Sequence, residues 1–147
     1  MPPDVNQADY ELSTDKERLD VQTIHAFLTQ SYWAPGIPKS IVQQAIAGSM
    51  CFGVYQGPVQ VGFARVITDK ATFAYLADVF ILDAHRGRGL SKRLMEYILA
   101  HPDLQGLRRF MLATNDAHGL YRRFGFAEPK NPARFMEIVR PDVYKSA

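Results

Sequence analysis

Hydrophobic and polar positions alternate along this chain in a series that predicts strands and helices in turn. Strand patterns occupy residues 10–14, 50–56, 59–68, 72–82 and 107–114, and a last one lies in "RFMEIVR" at residues 134–140. Helical spacing follows the first strand, resumes after Pro38, covers residues 89–100, and ends with "DAHGLYRRF". The order β-α-α-β-β-β-α-β-α-β predicts an α/β domain with a mixed central β-sheet flanked by helices.

Three segments of this pattern carry more specific signals. The stretch "TDKE" resembles a capping box, in which Thr14 and Glu17 satisfy free N–H groups where the first helix starts. In the third helix Leu90, Leu94 and Ile98 recur at every fourth position and form an apolar face. Residues 72–82 are apolar on both faces, which predicts a central strand.

Composition narrows the class of protein. A chain of 147 residues, with 47% apolar and 22% charged positions, has the size and balance of one globular domain. We predict a flexible N-terminal arm at residues 1–7 and a single domain at residues 8–147. A net charge of +2 argues against nucleic acid as a partner.

Cysteine, histidine and hydropathy exclude further classes. One cysteine rules out an internal disulfide, and the four histidines lack metal-ligand spacing, so we predict no metal. No apolar run reaches the ~20 residues of a membrane span, and the first residues lack a signal pattern. The sequence therefore predicts a cytoplasmic protein with no membrane partner.

The stretch "HRGRGLSKRLM" crowds four cations and two glycines between a predicted central strand and the start of a helix. Free N–H groups at a helix start favour an anion, and glycine lets a ligand approach the backbone. Arginine adds bidentate phosphate donors. Taken alone, the stretch fits a solvated turn as well as it fits an anion site; the strand–loop–helix context favours the anion.

This stretch resembles the signature of the GCN5-related N-acetyltransferases (GNAT), [R/Q]-x-x-G-x-[G/A], with Ser91 in the last position. The element order and the later "LYRRFGF" resemble the same family. The resemblance implies acetyl-CoA as cosubstrate. It also implies that the coenzyme is held by these positions: Val79, Ile81, Arg86, Gly87, Arg88, Gly89, Leu90, Ser91 and Asn115. Asn115 is one position later than the asparagine of many relatives.

The resemblance implies the catalytic role of Tyr121, and the residues themselves suggest the other candidates; all but Tyr75 have a structural alternative. Tyr121 would protonate the leaving thiolate, or it is a tyrosine packed in the core. Asp78, a carboxylate in a central strand, would accept the proton of the amine, or it pairs with an arginine. Tyr32 and Trp33 would form a wall of the acceptor pocket, or they cap the core, and Tyr75 is a further candidate for the pocket.

We therefore predict an acetyl-CoA-dependent N-acetyltransferase that acts on a primary amine of a small molecule or peptide by direct attack in a ternary complex. The alternative from the sequence is a non-catalytic acyl-CoA-binding or sensing module of the same fold. A homodimer is compatible with either hypothesis.

Overall fold

The computed structural model describes residues 9–145, so the predicted arm at residues 1–7 lies outside the described residues. The strands are β1 (Tyr10–Ser13), β2 (Met50–Gln56), β3 (Val59–Thr68), β4 (Phe73–Ile81) and β5 (Arg109–Leu112). The helices are α1 (Val21–Leu28), α2 (Lys39–Ala47), α3 (Leu90–Leu99) and α4 (His118–Arg122), with short 3₁₀ turns between them. The α/β fold class with a mixed sheet is confirmed.

The strands form one sheet in the order in which they occur along the chain. β1 to β4 pair antiparallel, and β5 joins β4 in parallel. A parallel pair needs a long crossover, and α3 supplies it between β4 and β5. α3 lies on one face of the sheet, and α1 and α2 lie on the other.

Each face of the sheet carries its own hydrophobic core. α3 packs its apolar face on one side of the sheet, against side chains that include Phe52 and Val66. α1 and α2 cover the other side, where Ile24 and Val42 contact Phe63. The predicted face of α3 is confirmed, since Leu90, Leu94, Met95 and Ile98 are all buried.

The start of the first helix differs from the prediction. Thr14 and Glu17 do not cap it, because the chain first makes a 3₁₀ turn at Lys16–Arg18. α1 begins at Val21, where the Asp20 carboxylate accepts the N–H of Thr23. Asp20, which directly precedes Val21, therefore determines where the helix starts.

The prediction of a last strand at residues 134–140 is also wrong. Residues 134–140 form no strand, and within the described residues β5 is the edge of the sheet. A pattern of strand-forming residues becomes a strand only where a partner edge accepts its backbone hydrogen bonds. This segment lies on no such edge.

Gly62 in β3 lies where the neighbouring strands β2 and β4 leave little room for a side chain. A Cβ at this position would lie 2.7 Å from Ile81 Cδ1 and 3.1 Å from Phe80 O and Val54 Cβ. We expect Gly62→Ala to lower the free energy of unfolding by about 1–3 kcal/mol through overpacking, as measured by urea denaturation.

The matched control is Gly119→Ala in α4. An added Cβ there meets no heavy atom within 4 Å in the described part of the chain, its chain neighbours aside. Because glycine weakens a helix interior, this change should stabilise by about 0.5–1 kcal/mol. Equal effects at both positions would contradict the packing argument.

Candidate active site

β5 ends beside the middle of β4, and β4 continues without it. Their parallel pairing runs from Phe73 with Arg109 to Leu76 with Leu112 and ends there. β4 continues to Ile81 while it pairs with β3 alone, so its other edge opens into a cleft. The cleft has a volume of about 760 Å³ and is lined by β4, the α1–α2 connection and α4.

A β-bulge at Asp78 shapes the wall of this cleft. Between two paired positions β3 advances from Phe63 to Arg65, whereas β4 advances from Ala77 to Phe80. Asp78 has φ of 56°, a left-handed conformation that is uncommon for residues other than glycine. Such backbone strain is typical of functional sites and persists because surrounding contacts hold it.

The Asp78 carboxylate is held on both oxygens. Arg65 Nε lies 2.8 Å from Oδ2, and Trp33 Nε1 donates to Oδ1 at 2.8 Å. Arg65 in turn donates to Ser49 Oγ at 2.9 Å. Both partners of the ion pair are largely buried. Of the two hypotheses for Asp78, the geometry shows the pairing with an arginine.

Aromatic side chains form one wall of the cleft. The ring centroid of Trp33 lies 5.0 Å from that of Tyr32 and 6.2 Å from that of Phe27. The Tyr32 hydroxyl accepts the backbone N–H of Asn115 at 3.1 Å, which ties the segment after β5 to the α1–α2 connection. Tyr32, Trp33 and Tyr75 all line the cleft, so the structure brings these three predicted residues together.

Tyr121 projects from α4 into the same cleft and is 8% exposed. Burial raises the pKa of its hydroxyl, and Tyr32 and Asp116 raise it further. Tyr121 therefore remains protonated at neutral pH and is able to donate a proton.

The glycine loop lies at the end of β4 and leads directly into α3. Gly87 and Gly89 have φ of 78° and 75°, so both positions need glycine. Gly89 is the N-cap of α3 and offers no side-chain cap, and the first intrahelical bond runs from Arg93 N to Gly89 O. The N–H groups of residues 90–92 are left without helical acceptors, which favours an anion.

The arginines of the loop have structural partners of their own. Arg86 donates to Ile81 O at 2.9 Å and pairs with Asp83 at 2.7 Å. Arg88 donates to the Tyr10 hydroxyl at 2.8 Å. Arg86 also lines the cleft, so the loop, β4 and α4 border one continuous space.

Two residues of the site were missed by the sequence analysis as site residues. Arg65 is the only charge in the apolar run "VQVGFARVIT", and a lone charge in a buried strand is the signal that would have found it. Phe27 packs against the core of α1 and α2 and also lines the cleft, and no sequence pattern separates it from a core residue.

Cys51 does not line this cleft. Cys51 is 3% exposed, and burial raises the pKa of its thiol to about 11, so it is protonated and not nucleophilic near neutral pH. Within residues 9–145, no group of histidine, cysteine and acidic side chains is arranged to hold a metal ion. No helix in that range is long and apolar enough to cross a membrane.

Comparison with known proteins identifies the family. The acetyltransferase (GNAT) domain matches residues 47–128, which include the cleft strands, the glycine loop and Tyr121. The chain belongs to the GNAT acetyltransferase family. It is therefore an acetyltransferase, and the sequence resemblance is confirmed.

Relatives of this GNAT acetyltransferase extend over nearly the whole chain. A GNAT-family crystal structure from Xanthomonas campestris pv. campestris is 56% identical, with a TM-score of 0.91, and covers 93% of this chain and 97% of that chain. A Gibberella zeae protein named as a putative acetyltransferase is 36% identical over 82% of this chain and 80% of its own length. A Deinococcus radiodurans structure, 19% identical with a TM-score of 0.73 over 93% of this chain and 92% of that chain, shares the fold.

The fluorescence of Trp33, the only tryptophan of the chain, tests the contacts of Asp78. We expect Asp78→Ala to leave Arg65 without its partner and to cost ~2 kcal/mol or more of unfolding free energy. Release of the indole N–H should also shift Trp33 fluorescence and raise its quenching by acrylamide. Asp116→Ala, which removes an exposed carboxylate from the same cleft, should change neither quantity. Unchanged fluorescence in Asp78→Ala would contradict the assigned role.

Proposed function

We propose that this protein is an acetyl-CoA-dependent N-acetyltransferase that acts on a primary amine of a small molecule or peptide by direct attack in a ternary complex. One observation carries the proposal: a single cleft is bordered by Arg86 of the loop that leads into α3, by the open edge of β4 and by a buried, protonated tyrosine. The family generally uses acetyl-CoA, and each of these three features fits a part of that molecule.

The residues of the loop fit a pyrophosphate. The free N–H groups at the start of α3 would hold it, and Gly87 and Gly89 allow close approach of the backbone. Arg86 and Arg88 supply positive charge beside the loop. Beyond Leu76 the edge of β4 is free of β5, and Val79 and the N–H of Ile81, whose carbonyl accepts Arg86, would offer backbone groups to the pantetheine arm. Val79 and Asn115 both line the cleft.

Acetyl-CoA supplies an activated acetyl thioester, and the transfer needs a proton for the departing sulfur. Tyr121 is the proposed donor, because its raised pKa keeps the hydroxyl protonated. Backbone N–H groups near Val79 would polarise the thioester carbonyl. The pKa of the Cys51 thiol supports direct transfer to the amine over a cysteine-bound intermediate.

The acceptor would enter on the side of Tyr32, Trp33 and Tyr75. Because three aromatic rings border this half of the cleft, it suits an amine that carries an apolar or aromatic group. Each oxygen of the Asp78 carboxylate already accepts a hydrogen bond, from Trp33 or from Arg65, so we assign Asp78 to positioning Trp33. The proton of the amine would leave through water in the open cleft.

Ser91→Asp tests the anion site. A carboxylate in the first turn of α3 should stabilise the free protein by about 0.3–1 kcal/mol, because it complements the helix dipole. The same charge should repel the pyrophosphate and lower the affinity for coenzyme A by about tenfold or more. Calorimetric titration with coenzyme A and thermal unfolding measure the two effects.

The matched control for Ser91→Asp is Ser40→Asp. Ser40 and Ser91 are each the second residue of a helix, in α2 and α3 respectively, and neither helix has a side-chain cap. Ser40→Asp should stabilise similarly and leave coenzyme A affinity unchanged. An equal loss of coenzyme A affinity in both variants would contradict a phosphate site at α3. Unchanged affinity in both variants would contradict it as well.

Tyr121→Phe tests the chemistry, with coenzyme A thiol release from acetyl-CoA measured over a panel of amines. Removing the hydroxyl should lower turnover by about 10²–10⁴-fold and leave coenzyme A affinity unchanged. Since the pKa of Tyr121 is raised, any alkaline decline of the wild-type rate from this group should lie at higher pH than the titration of an exposed tyrosine. Tyr97→Phe, which deletes a hydroxyl on α3 outside the cleft, should have normal turnover.

Two results would decide against this proposal. A loss of turnover of tenfold or less in Tyr121→Phe would assign the tyrosine to packing. Coenzyme A binding without thiol release from any amine of the panel would favour the non-catalytic binding module.

A further inference from the structure

Tyr10 is a buried tyrosine that the proposed chemistry does not use. It lies in β1, at the opposite end of the sheet from β5. The residue is 3% exposed, and its ring packs in the core on the side of α3. Its hydroxyl nevertheless reaches the glycine loop that leads into α3, which raises the question of what it does there.

The Tyr10 hydroxyl joins two positions of the loop. It lies 2.8 Å from His85 Nδ1, and Arg88 Nη1 donates to it at 2.8 Å. The rings of Tyr10 and His85 also meet edge to face, with centroids 5.7 Å apart and planes at 89°. Because residues 86 and 87 lie between the two contacts, Tyr10 bridges the first turn of the loop.

The chemistry of the three groups fixes the direction of both hydrogen bonds. A guanidinium has donors only, so the Tyr10 oxygen accepts from Arg88. The hydroxyl then has its own hydrogen for His85 Nδ1, which accepts when it carries no proton. Because Tyr10 is buried, a hydroxyl hydrogen without an acceptor would be unfavourable. His85 is therefore the acceptor that allows Tyr10 to hold Arg88.

The loop itself receives little support from packing. Of residues 83–89, His85 and Arg88 are partly buried, and the other five are exposed. A Cβ at Gly87 would meet no heavy atom within 4 Å in the described part of the chain, its chain neighbours aside. Since glycine has the most backbone freedom to lose, a loop with Gly87 and Gly89 is costly to order when a ligand binds. The two residues that contact Tyr10 are thus the two that lie against the domain.

We propose that Tyr10 is a positioning residue for coenzyme binding, an inference that rests on the function proposed above. By bridging His85 and Arg88, Tyr10 keeps the loop ordered before the ligand arrives, so less conformational entropy is lost when the pyrophosphate binds. The bond to Arg88 also fixes where that positive charge lies beside the loop. Tyr10 does not line the cleft, so it acts through the loop and not on the ligand.

Tyr10→Phe tests this role, because it keeps the ring and deletes only the hydroxyl. We expect the dissociation constant of coenzyme A, measured by calorimetric titration, to rise at least about fivefold. In the free protein, the backbone order parameters of residues 86–89, measured by NMR relaxation of the amides, should fall. Thermal unfolding verifies that the domain stays folded.

The matched control is Tyr55→Phe. Tyr55 is a buried tyrosine of the neighbouring strand β2, and its hydroxyl has no hydrogen-bond partner within the described residues. This variant should therefore keep both the affinity for coenzyme A and the order of the loop. An equal loss of affinity in Tyr10→Phe and Tyr55→Phe would overturn the proposal, because the loss of any buried hydroxyl would then have the same effect.

A pair of variants at His85 tests the second hydrogen bond. Leucine and asparagine have the same branched shape, but only asparagine has an acceptor close to the position of His85 Nδ1. We expect His85→Leu to weaken coenzyme A binding as Tyr10→Phe does, and His85→Asn to restore most of the affinity. Equal affinities of the two His85 variants would overturn the bridge.

Coenzyme A titration of the unmodified protein separates this inference from the proposed function. If the unmodified protein binds coenzyme A and Tyr10→Phe binds it equally well, the positioning role is overturned and the proposed function stands. If the unmodified protein does not bind coenzyme A, the proposed function fails, and the role of Tyr10 in coenzyme binding fails with it.

Discussion

The site exists because the parallel pairing of β4 with β5 ends at Leu76. A sheet that stayed paired would leave no unpaired backbone on β4 and no space between the strands for a ligand. The separation frees the end of β4 that leads into the glycine loop. It also places α4, which follows β5, opposite that free edge. The proposed coenzyme site and the position of Tyr121 are therefore consequences of one local change in strand pairing.

A second constraint fixes the side of the cleft where the acceptor would bind. The bulge at Asp78 costs of order 1–3 kcal/mol in backbone strain, and its contacts with Arg65 and Trp33 offset that cost. In this way a strand of the sheet holds the aromatic connection between α1 and α2. Tyr32, bonded to the backbone of Asn115, links the same connection to the segment before α4. The aromatic wall is thus bound at two points on opposite sides of the cleft.

Charge and proton donor are contributed by different elements, and this separation is useful for the chemistry. The free N–H groups of α3 attract an anion without a titrating group, so their effect persists over a wide pH range. Tyr121 is buried, which raises its pKa and preserves the proton.

The sequence by itself determined the fold class, the glycine loop and the position of Tyr121, because these depend on local patterns such as apolar spacing, left-handed glycines and a short motif. Tertiary structure decided the rest. The bulge that turns Asp78 toward Arg65 and Trp33 depends on how β4 pairs with β3, a long-range relation that no local pattern encodes. The same reason explains residues 134–140: they favour a strand, but a strand forms only where an edge accepts it.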